Sequence, residues 1–510
     1  MGFKKTDKLR NKMAKLNITG RDLREIGFDQ GKTLGITLDI VRKEYKNYLW
    51  DDVTPILKSM LADPESFLNH EHLSRAADTL VVKEVVDLTI PLKSKSVDYS
   101  VYGREGIEKG AFDQIDLATK LPVAIKGALL PDAHQGYGLP IGGVLALDNS
   151  ISPYGVGVDI GCRMCLTIYD TGDDFITGKR ERLTDVLRKN AFFGINGNNI
   201  KLEHSILDYI NETDVRFARN LIDKAQDQLG SSGGGNHFID LGYVDITDGD
   251  NEFGLEVGRY FGILSHSGSR GFGAKISEEY SVRAKKSCIL PDLVKELAYL
   301  DMNSQDGQEY WIAMNLAGDY ASACHEEIHR RISTALAIEE VGRVENHHNF
   351  AWKEMVNGRE AIVHRKGATP AGEGVMGIIP GSMVSRGYIV RGKGNPDTLS
   401  SASHGAGRLH SRTKSKALFD QDQVDRVLHE NEITLIGGGL DEAPMAYKDI
   451  DTVMSYQNDL VDIVGSFTPQ VVRMASKSEE GLSFKERKDY KKKENERKER
   501  QRLKRERRMR

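Results

Sequence analysis

A change of pattern near Val81 limits this fold more than any other feature of the sequence. Before it the chain reads as helix. After it, as far as about Met474, short apolar runs rich in β-branched residues are broken repeatedly by Gly and Pro. Such punctuation cannot be threaded into long helices, because Pro removes a donor and Gly costs helix stability. In residues 1–85 the stretch Asn17-Ile-Thr-Gly-Arg-Asp-Leu-Arg offers a turn and a helix cap. It is followed by an amphipathic run through Leu34, Ile36, Leu38, Ile40 and Val41. The expected organisation is a helical region over 1–85, a β-rich body over 86–476 and a basic segment over 477–510.

Inside the body, Leu129–Val144 reads as a strand, a polar loop and a second strand, and residues 179–229 as helices. Gly307–Val341 carries Tyr310, Met314, Ala317, Ala321, Cys324, Ile328 and Ile332 at spacings of three and four, which predicts an amphipathic helix with Cys324 on its buried face. Ala361–His364, Val375–Ile379, Tyr388–Arg391 and Ile433–Ile436 are strand candidates. Val156, Val158 and Ile160 predict a strand running into a Gly-permitted turn at Gly161. The fold class is α/β (α+β), with mixed sheets and surrounding helices, no repeated βαβ unit and no internal repeat.

Charge and cysteine usage narrow the classes. Hydrophobic content of 39% and charge of 29% fit a soluble globular protein. Four cysteines, two of them at Cys162 and Cys165, make no disulfide framework and imply a reducing compartment. No apolar run approaches the ~20 residues of a membrane span, and the N-terminus lacks a signal core, so the expectation is a soluble cytoplasmic protein with no membrane partner. From Lys485 to Arg510 there are 15 Lys/Arg against 6 Asp/Glu; the remainder holds 56 basic and 69 acidic residues. An acidic body with a basic arm suits a protein that handles a polyanion, and equally a solvated helical extension.

Chemistry gathers where glycine does. The 51 glycines, about a tenth of the chain against a usual ~7%, cluster at polar motifs. In Gly157-Val-Asp-Ile-Gly-Cys-Arg-Met-Cys165, Asp159 and Cys162 put a hard carboxylate and a soft thiolate close enough to meet on one divalent metal, or on two that share the sulfur. Alone, an Asp-x-x-Cys pair is an ordinary turn beside a buried cysteine. Four further segments change that: Gly233-Gly-Gly-Asn236-His237, Ser265-His266-Ser-Gly-Ser-Arg270, His347-His348-Asn349 and Ser403-His404-Gly-Ala-Gly-Arg408. Neutral imidazole binds first-row divalent metals, glycine lets backbone N–H groups approach phosphate, and arginine supplies a phosphate fork.

As a set these motifs resemble the RtcB family of RNA-splicing ligases. The matching pieces are Pro131-Asp-Ala-His-Gln-Gly-Tyr-Gly, Gly157-Val-Asp-Ile-Gly-Cys, Gly235-Asn-His-Phe, His266-Ser-Gly-Ser-Arg-Gly, His348-Asn, His364-Arg-Lys-Gly-Ala-Thr, Pro380-Gly-Ser-Met and His404-Gly-Ala-Gly-Arg, in family order over roughly residues 90–475. The resemblance implies a GTP-dependent ligase with two Mn²⁺ ions. It joins an RNA 3′-phosphate, or a 2′,3′-cyclic phosphate after hydrolysis, to a 5′-hydroxyl. His404 is then the nucleophile that carries GMP, and Asp159, Cys162, His237, His266 and His348 are the metal ligands, with Cys162 bridging. Asn236, Asp240, Asn349, Pro380, Gly381, Ser382, Met383, Gly405, Ala406 and Gly407 line the GTP pocket. Arg270, Arg408, Arg365 and Lys366 hold RNA phosphates. An activating protein partner is left unidentified. A relative that nucleotidylates RNA ends without sealing them, and a non-catalytic RNA-binding scaffold, remain as alternatives.

Three positions depart from the family pattern. Asp240 replaces a Glu four residues after the Asn of the Asn-His motif, and Gly387 replaces a Ser seven residues after Pro380. Val472-Arg-Met-Ala475-Ser stands where family members end in Val-Lys-Gly, which puts alanine in place of lysine. All three belong to guanosine recognition in the family, so the expectation is preserved chemistry with altered nucleotide preference.

Overall fold

The computed structural model describes residues 16, 18–81, 88–172, 174–194 and 201–476. The basic segment 477–510 lies outside the described residues. The chain divides into two compact units, Met1–Leu88 and Thr89–Arg510.

The first unit is helical. Helix Gly20–Glu25 starts at a Thr19 cap whose hydroxyl and backbone N–H both meet Asp22, closing a capping box. Helices Lys32–Glu44 and Trp50–Ala62 bury Val41, Val53, Leu57 and Met60 with Leu23, Phe28 and Leu73 in one core. The apolar run from Leu34 to Val41 lies in the first of these helices.

The second unit is built on two larger sheets. One has five strands in the order Tyr99–Val101, Ala124–His134, Ile141–Leu147, Arg359–Lys366 and Asn349–Val356. The other runs Met376–Ile379, Gly387–Gly392, Val461–Met474, Phe238–Ile246, Gly258–Ser267, Arg163–Tyr169 and Glu340–His347, with Thr434–Ile436 also paired to Val461–Met474. Adjacent strands are antiparallel except Tyr99–Val101 on Ala124–His134 and Thr434–Ile436 on Val461–Met474. The mixed α/β class therefore holds, without βαβ crossovers as its organising unit.

The larger sheet is apolar on both faces, which is why its strands read as near-continuous hydrophobic runs. On the front, Met164, Leu166, Ile168, Leu264 and Phe467 pack together. On the rear, Tyr169, Ile239, Leu241, Phe261, Ile263 and Val471 meet Leu183 and Leu187 of helix Arg180–Asn190 and Ile328, Ile332 and Leu336 of helix Gln305–Leu336. That 32-residue helix carries the expected series from Tyr310 to Ile332 with Cys324 buried, but it ends at Leu336, and Val341 belongs to the strand that follows.

One expectation is reversed. The strand around Cys162 follows the turn instead of entering it. Ser152 caps a short helix Pro153–Val156 with Pro at its start, and the chain then turns through Gly157 and Gly161, both at positive φ, before strand Arg163–Tyr169 begins. Val158 is consequently exposed. Among the described residues no helix is long and apolar enough to cross a membrane.

Candidate active site

Antiparallel order alone gathers the site. Strands Phe238–Ile246, Gly258–Ser267, Arg163–Tyr169 and Glu340–His347 are neighbours. The start of the first, the end of the second, the start of the third and the end of the fourth therefore share one edge. His237, His266, Cys162 and His348 sit at those four ends. Ring centroids of His237 and His266 are 5.0 Å apart and those of His266 and His348 5.1 Å, close to one strand spacing.

The ligand atoms converge more tightly. Cys162 Sγ lies 3.4 Å from His237 Nε2 and 3.2 Å from His266 Nε2. His266 Nε2 is 3.2 Å from His348 Nε2, and His237 Nε2 is 3.0 Å from Asp159 Oδ2. His266 Nδ1 donates to the Asn236 carbonyl at 2.9 Å, so its Nε2 presents a lone pair. Two triads result, Cys162–His266–His348 and Asp159–Cys162–His237, and the thiol belongs to both. Nitrogens held at about 2.0–2.1 Å around one tetrahedral ion are about 3.3 Å apart, which these spacings match. Hydrogen bonds do not satisfy every ring nitrogen here, since His237 Nδ1 and His348 Nδ1, the atoms opposite the converging Nε2, are buried without a protein partner. A mixed O, N and S set around a shared sulfur fits a divalent metal pair.

Electrostatics agree. Burial, then neighbouring imidazoles, keep His266 and His348 well below the usual histidine range, so both are neutral ligands. Burial, then the Asp159 carboxylate, push the Cys162 thiol well up; a cation held there would reverse that balance and favour the thiolate. Two glycines let backbone press on the ligands. A Cβ at Gly268 would collide with the Asp159 carboxylate, and one at Gly233 with His237 Nδ1.

His404 follows the short strand Ser401–Ser403 and faces His348 across 5.0 Å between ring centroids. Its Nδ1 donates to Asp132 Oδ2 at 2.6 Å, and its backbone N–H to the same oxygen at 3.1 Å. A carboxylate only accepts, so Nδ1 carries the hydrogen and Nε2 keeps its lone pair. Burial alone would raise the fully buried Asp132 carboxyl, but His404 and the Lys448 ammonium outweigh it and hold the group below its usual range. The motif Pro131-Asp-Ala-His assigns Asp132 no role by itself; its complete burial and its bonds to His404 do. His134, inside the same motif, and Arg412, Glu442 and Tyr447, outside every motif, are further cavity residues.

One cavity of about 340 Å³ brings together every expected site residue except Arg270 and Arg365. Arg270, at positive φ, lines an adjoining cavity of about 560 Å³. Arg365 turns away. Its side chain is 1% exposed, and the guanidinium meets both Glu354 oxygens at 2.7 and 2.9 Å and also bonds Ser401 and the Leu399 carbonyl. With those donors spent it has no reach to RNA, and the expectation for it is withdrawn. Arg408 lines the cavity but its guanidinium is committed to Glu442, Tyr447 and the Asp441 and His410 carbonyls. Arg412 is the more available cation at this end, with its side chain 44% exposed.

The three departures separate too. Asp240 lines the cavity with Oδ1 lacking a partner, and burial pushes its carboxyl well up. Gly387 and Ala475 do not line it. A Cβ at Gly387 would meet the Pro380 Cα at 3.1 Å, and Ala475 packs in the apolar rear cluster with Val471 and Leu187. Strand alternation brings Val472 and Met474 to the cavity instead.

A family model described as tRNA-splicing ligase RtcB matches residues 114–223 and 208–475. The chain belongs to the RtcB family. RNA-splicing ligase RtcB of Escherichia coli K12 is 34% identical over 399 residues, covering 70% of this chain and 92% of its own. The tRNA-splicing ligase RtcB of Methanococcus maripaludis is 30% identical over 437 residues, covering 70% of this chain and 89% of its own. RNA-splicing ligase RtcB homolog 1 of Entamoeba dispar is 31% identical over 415 residues, 66% of this chain and 76% of its own. The matched residues of this RtcB-family chain include the whole Cys162 cluster and His404, and begin beyond the helical first unit.

Proposed function

We propose that this protein is an RNA ligase that uses GTP and two Mn²⁺ ions to join RNA 3′-phosphate ends, or 2′,3′-cyclic phosphate ends after hydrolysis, to 5′-hydroxyl ends. Its natural role on this reading is repair or splicing of cleaved RNA. The observation that carries the reading is one thiol, Cys162, shared by two ligand triads beside an imidazole whose free Nε2 is fixed by Asp132.

Asp159, Cys162, His237, His266 and His348 hold the metal pair. When bound, it neutralises phosphate charge and polarises the phosphoryl oxygens. His404 Nε2 attacks the α-phosphorus of GTP; an N–P bond forms as the bond to pyrophosphate breaks. An oxygen of the RNA 3′-phosphate next attacks that phosphorus and the N–P bond breaks, which leaves the RNA end carrying GMP. The 5′-hydroxyl oxygen then attacks the RNA phosphorus, GMP leaves, and the hydroxyl proton passes to solvent. Asp132 serves this sequence by keeping His404 in one tautomer, as orienting carboxylates do in other nucleophilic sites. Asn236, Asn349, Pro380–Met383 and Gly405–Gly407 surround the nucleotide, with Asp240 toward the base. Lys366, Arg270 and Arg412 offer charge to the RNA phosphates.

The test pairs a 3′-phosphate RNA with a labelled 5′-hydroxyl RNA in Mn²⁺ and GTP. Wild type is expected to seal them and to form an acid-labile nucleotide adduct. His404→Ala is expected to lose the adduct, keep its metal and still seal an RNA supplied with a 3′-guanylate. Wild type that neither seals nor labels with any nucleotide would overturn the proposal, and His404→Ala without metal would overturn its assignment of that residue.

A further inference from the structure

Behind the metal cluster lies a second group, Cys165, His325 and His329, whose potential ligand atoms also fall within 4.8 Å of one another. All three residues are 0% exposed. His325 and His329 are one helical turn apart on helix Gln305–Leu336 and so share a face. Cys165 and Thr167 of one strand, and Ser265 and Ser267 of the next, point to that rear face, whereas His266 points forward.

The hydrogens of this group can be assigned without choice. His325 Nε2 lies 3.2 Å from the Ser267 carbonyl, which only accepts, so in the neutral ring that nitrogen carries the hydrogen and Nδ1 must accept. Ser265 Oγ, 2.6 Å away, therefore donates to His325 Nδ1. Having donated its one hydrogen, Ser265 accepts from His329 Nε2, also at 2.6 Å. His329 Nδ1 then accepts from the Thr167 hydroxyl at 2.7 Å. Burial holds both rings below the usual histidine range, His325 at about 4, consistent with neutral imidazoles. Every imidazole lone pair is used, and none is left for a metal.

We propose that His325 and His329 are positioning residues for the metal centre. Acting through Ser265 and the Ser267 carbonyl, they fix the backbone on either side of His266 and so aim its imidazole at Cys162 and His348. The need arises because Ser267 ends its strand, just before the turn into helix Arg270–Ser287, where ladder hydrogen bonds run out. The inference rests on the reading that the Cys162 cluster holds metal.

The test compares Mn²⁺ affinity and stoichiometry of the full chain in wild type, His325→Leu, His325→Gln and Ser265→Ala. A glutamine amide N–H reaches about as far as His Nε2, so Gln keeps the donor to Ser267 while Leu keeps only apolar volume. Leu, which loses both contacts, is expected to weaken Mn²⁺ binding by about 10- to 100-fold, the range for lost supporting partners of metal ligands, and Gln, which keeps the donor to Ser267 but not the acceptor for Ser265, by clearly less than Leu. A role in packing alone predicts the reverse order, with Leu tolerated better than Gln. Ser265→Ala, which deletes a single hydroxyl, covers the case in which His325→Leu fails to fold and is expected to weaken binding by about tenfold. Equal affinity in wild type and Ser265→Ala, or the reversed Leu and Gln order, would overturn the proposal. So would three metals per wild-type chain with one lost in Cys165→Ser. Wild type that binds no Mn²⁺ would instead overturn the reading of the front cluster, and this inference with it.

Discussion

Cys162 and Cys165 stand three residues apart, and each meets histidines, yet the two clusters are chemical opposites. Around Cys162 the contacts are 3.0–3.4 Å, two imidazole nitrogens lack a protein partner, and the cluster opens on a cavity, with Asp159 31% exposed and the thiol and imidazoles nearly buried. Behind it the Ser–His contacts are 2.6 Å, the hydrogen-bond chain closes, and no solvent reaches the Cys165 cluster. Proximity of Cys and His is the same in both places. What separates a metal site from a polar clamp is the hydrogen count and the open side.

The sharpest way to break that contrast is to treat both cysteines alike. Cys162→Ser is expected to lose Mn²⁺ and every catalytic step, because a serine hydroxyl does not ionise to replace a shared thiolate. Cys165→Ser is expected to keep both ions and most activity, as its thiol is pushed up by burial and stays protonated. Metal analysis and the sealing assay read both; similar loss in the two variants would dissolve the distinction.

A second change acts beside the front cluster without touching a ligand. Asp132→Asn keeps the shape around His404 but no longer dictates which nitrogen holds the hydrogen. Adduct formation is expected to fall by about 10²–10⁴, as for other tautomer-fixing carboxylates, with metal content unchanged. Rapid-quench labelling with GTP measures it, and a fall below tenfold would mean another group orients the ring.

Smaller effects belong to the base end of the cavity. Asp240 is one methylene shorter than the family's glutamate and its Oδ1 is unpartnered. Asp240→Glu is expected to raise the GTP-over-ATP ratio of adduct rates by about 2- to 10-fold, the worth of one hydrogen bond. Ala475→Lys would place a charge in the apolar rear cluster, and is expected to lower the melting temperature without sharpening that ratio.

The mildest expectation concerns pH. Burial lowers Lys366 to about 8, so it is charged below that pH and neutral above it. RNA affinity is expected to fall as pH rises through 8 and its salt slope to shrink by about 0.7, one single-strand phosphate contact. Lys366→Met should show neither change; a persisting pH step in that variant would assign the effect elsewhere.

These contrasts also show what the sequence could carry. The Gly/His motifs were legible because a ligand loop needs both residue types within a few positions. The helix Gln305–Leu336 is legible from its spacing, yet nothing in the sequence marks His325 and His329, since a buried histidine looks alike as ligand or clamp until its neighbours are known. Arg365 and Lys366 could not both face one cavity, because neighbours on a strand point to opposite sides; motif reading grouped them regardless. The turn at Gly157–Cys162 misled for a related reason. Val156, Val158 and Ile160 alternate like a strand, but the Ser152 cap, Pro153 and two positive-φ glycines override that pattern.

The most direct test of the central claim is electron paramagnetic resonance of the Mn²⁺-loaded chain together with metal counting. A thiolate shared by both triads predicts two ions per chain whose spins are magnetically coupled, with the coupled signal absent from Cys162→Ser and present in Cys165→Ser. Two uncoupled ions, or one ion that disappears with Cys165, would contradict the account.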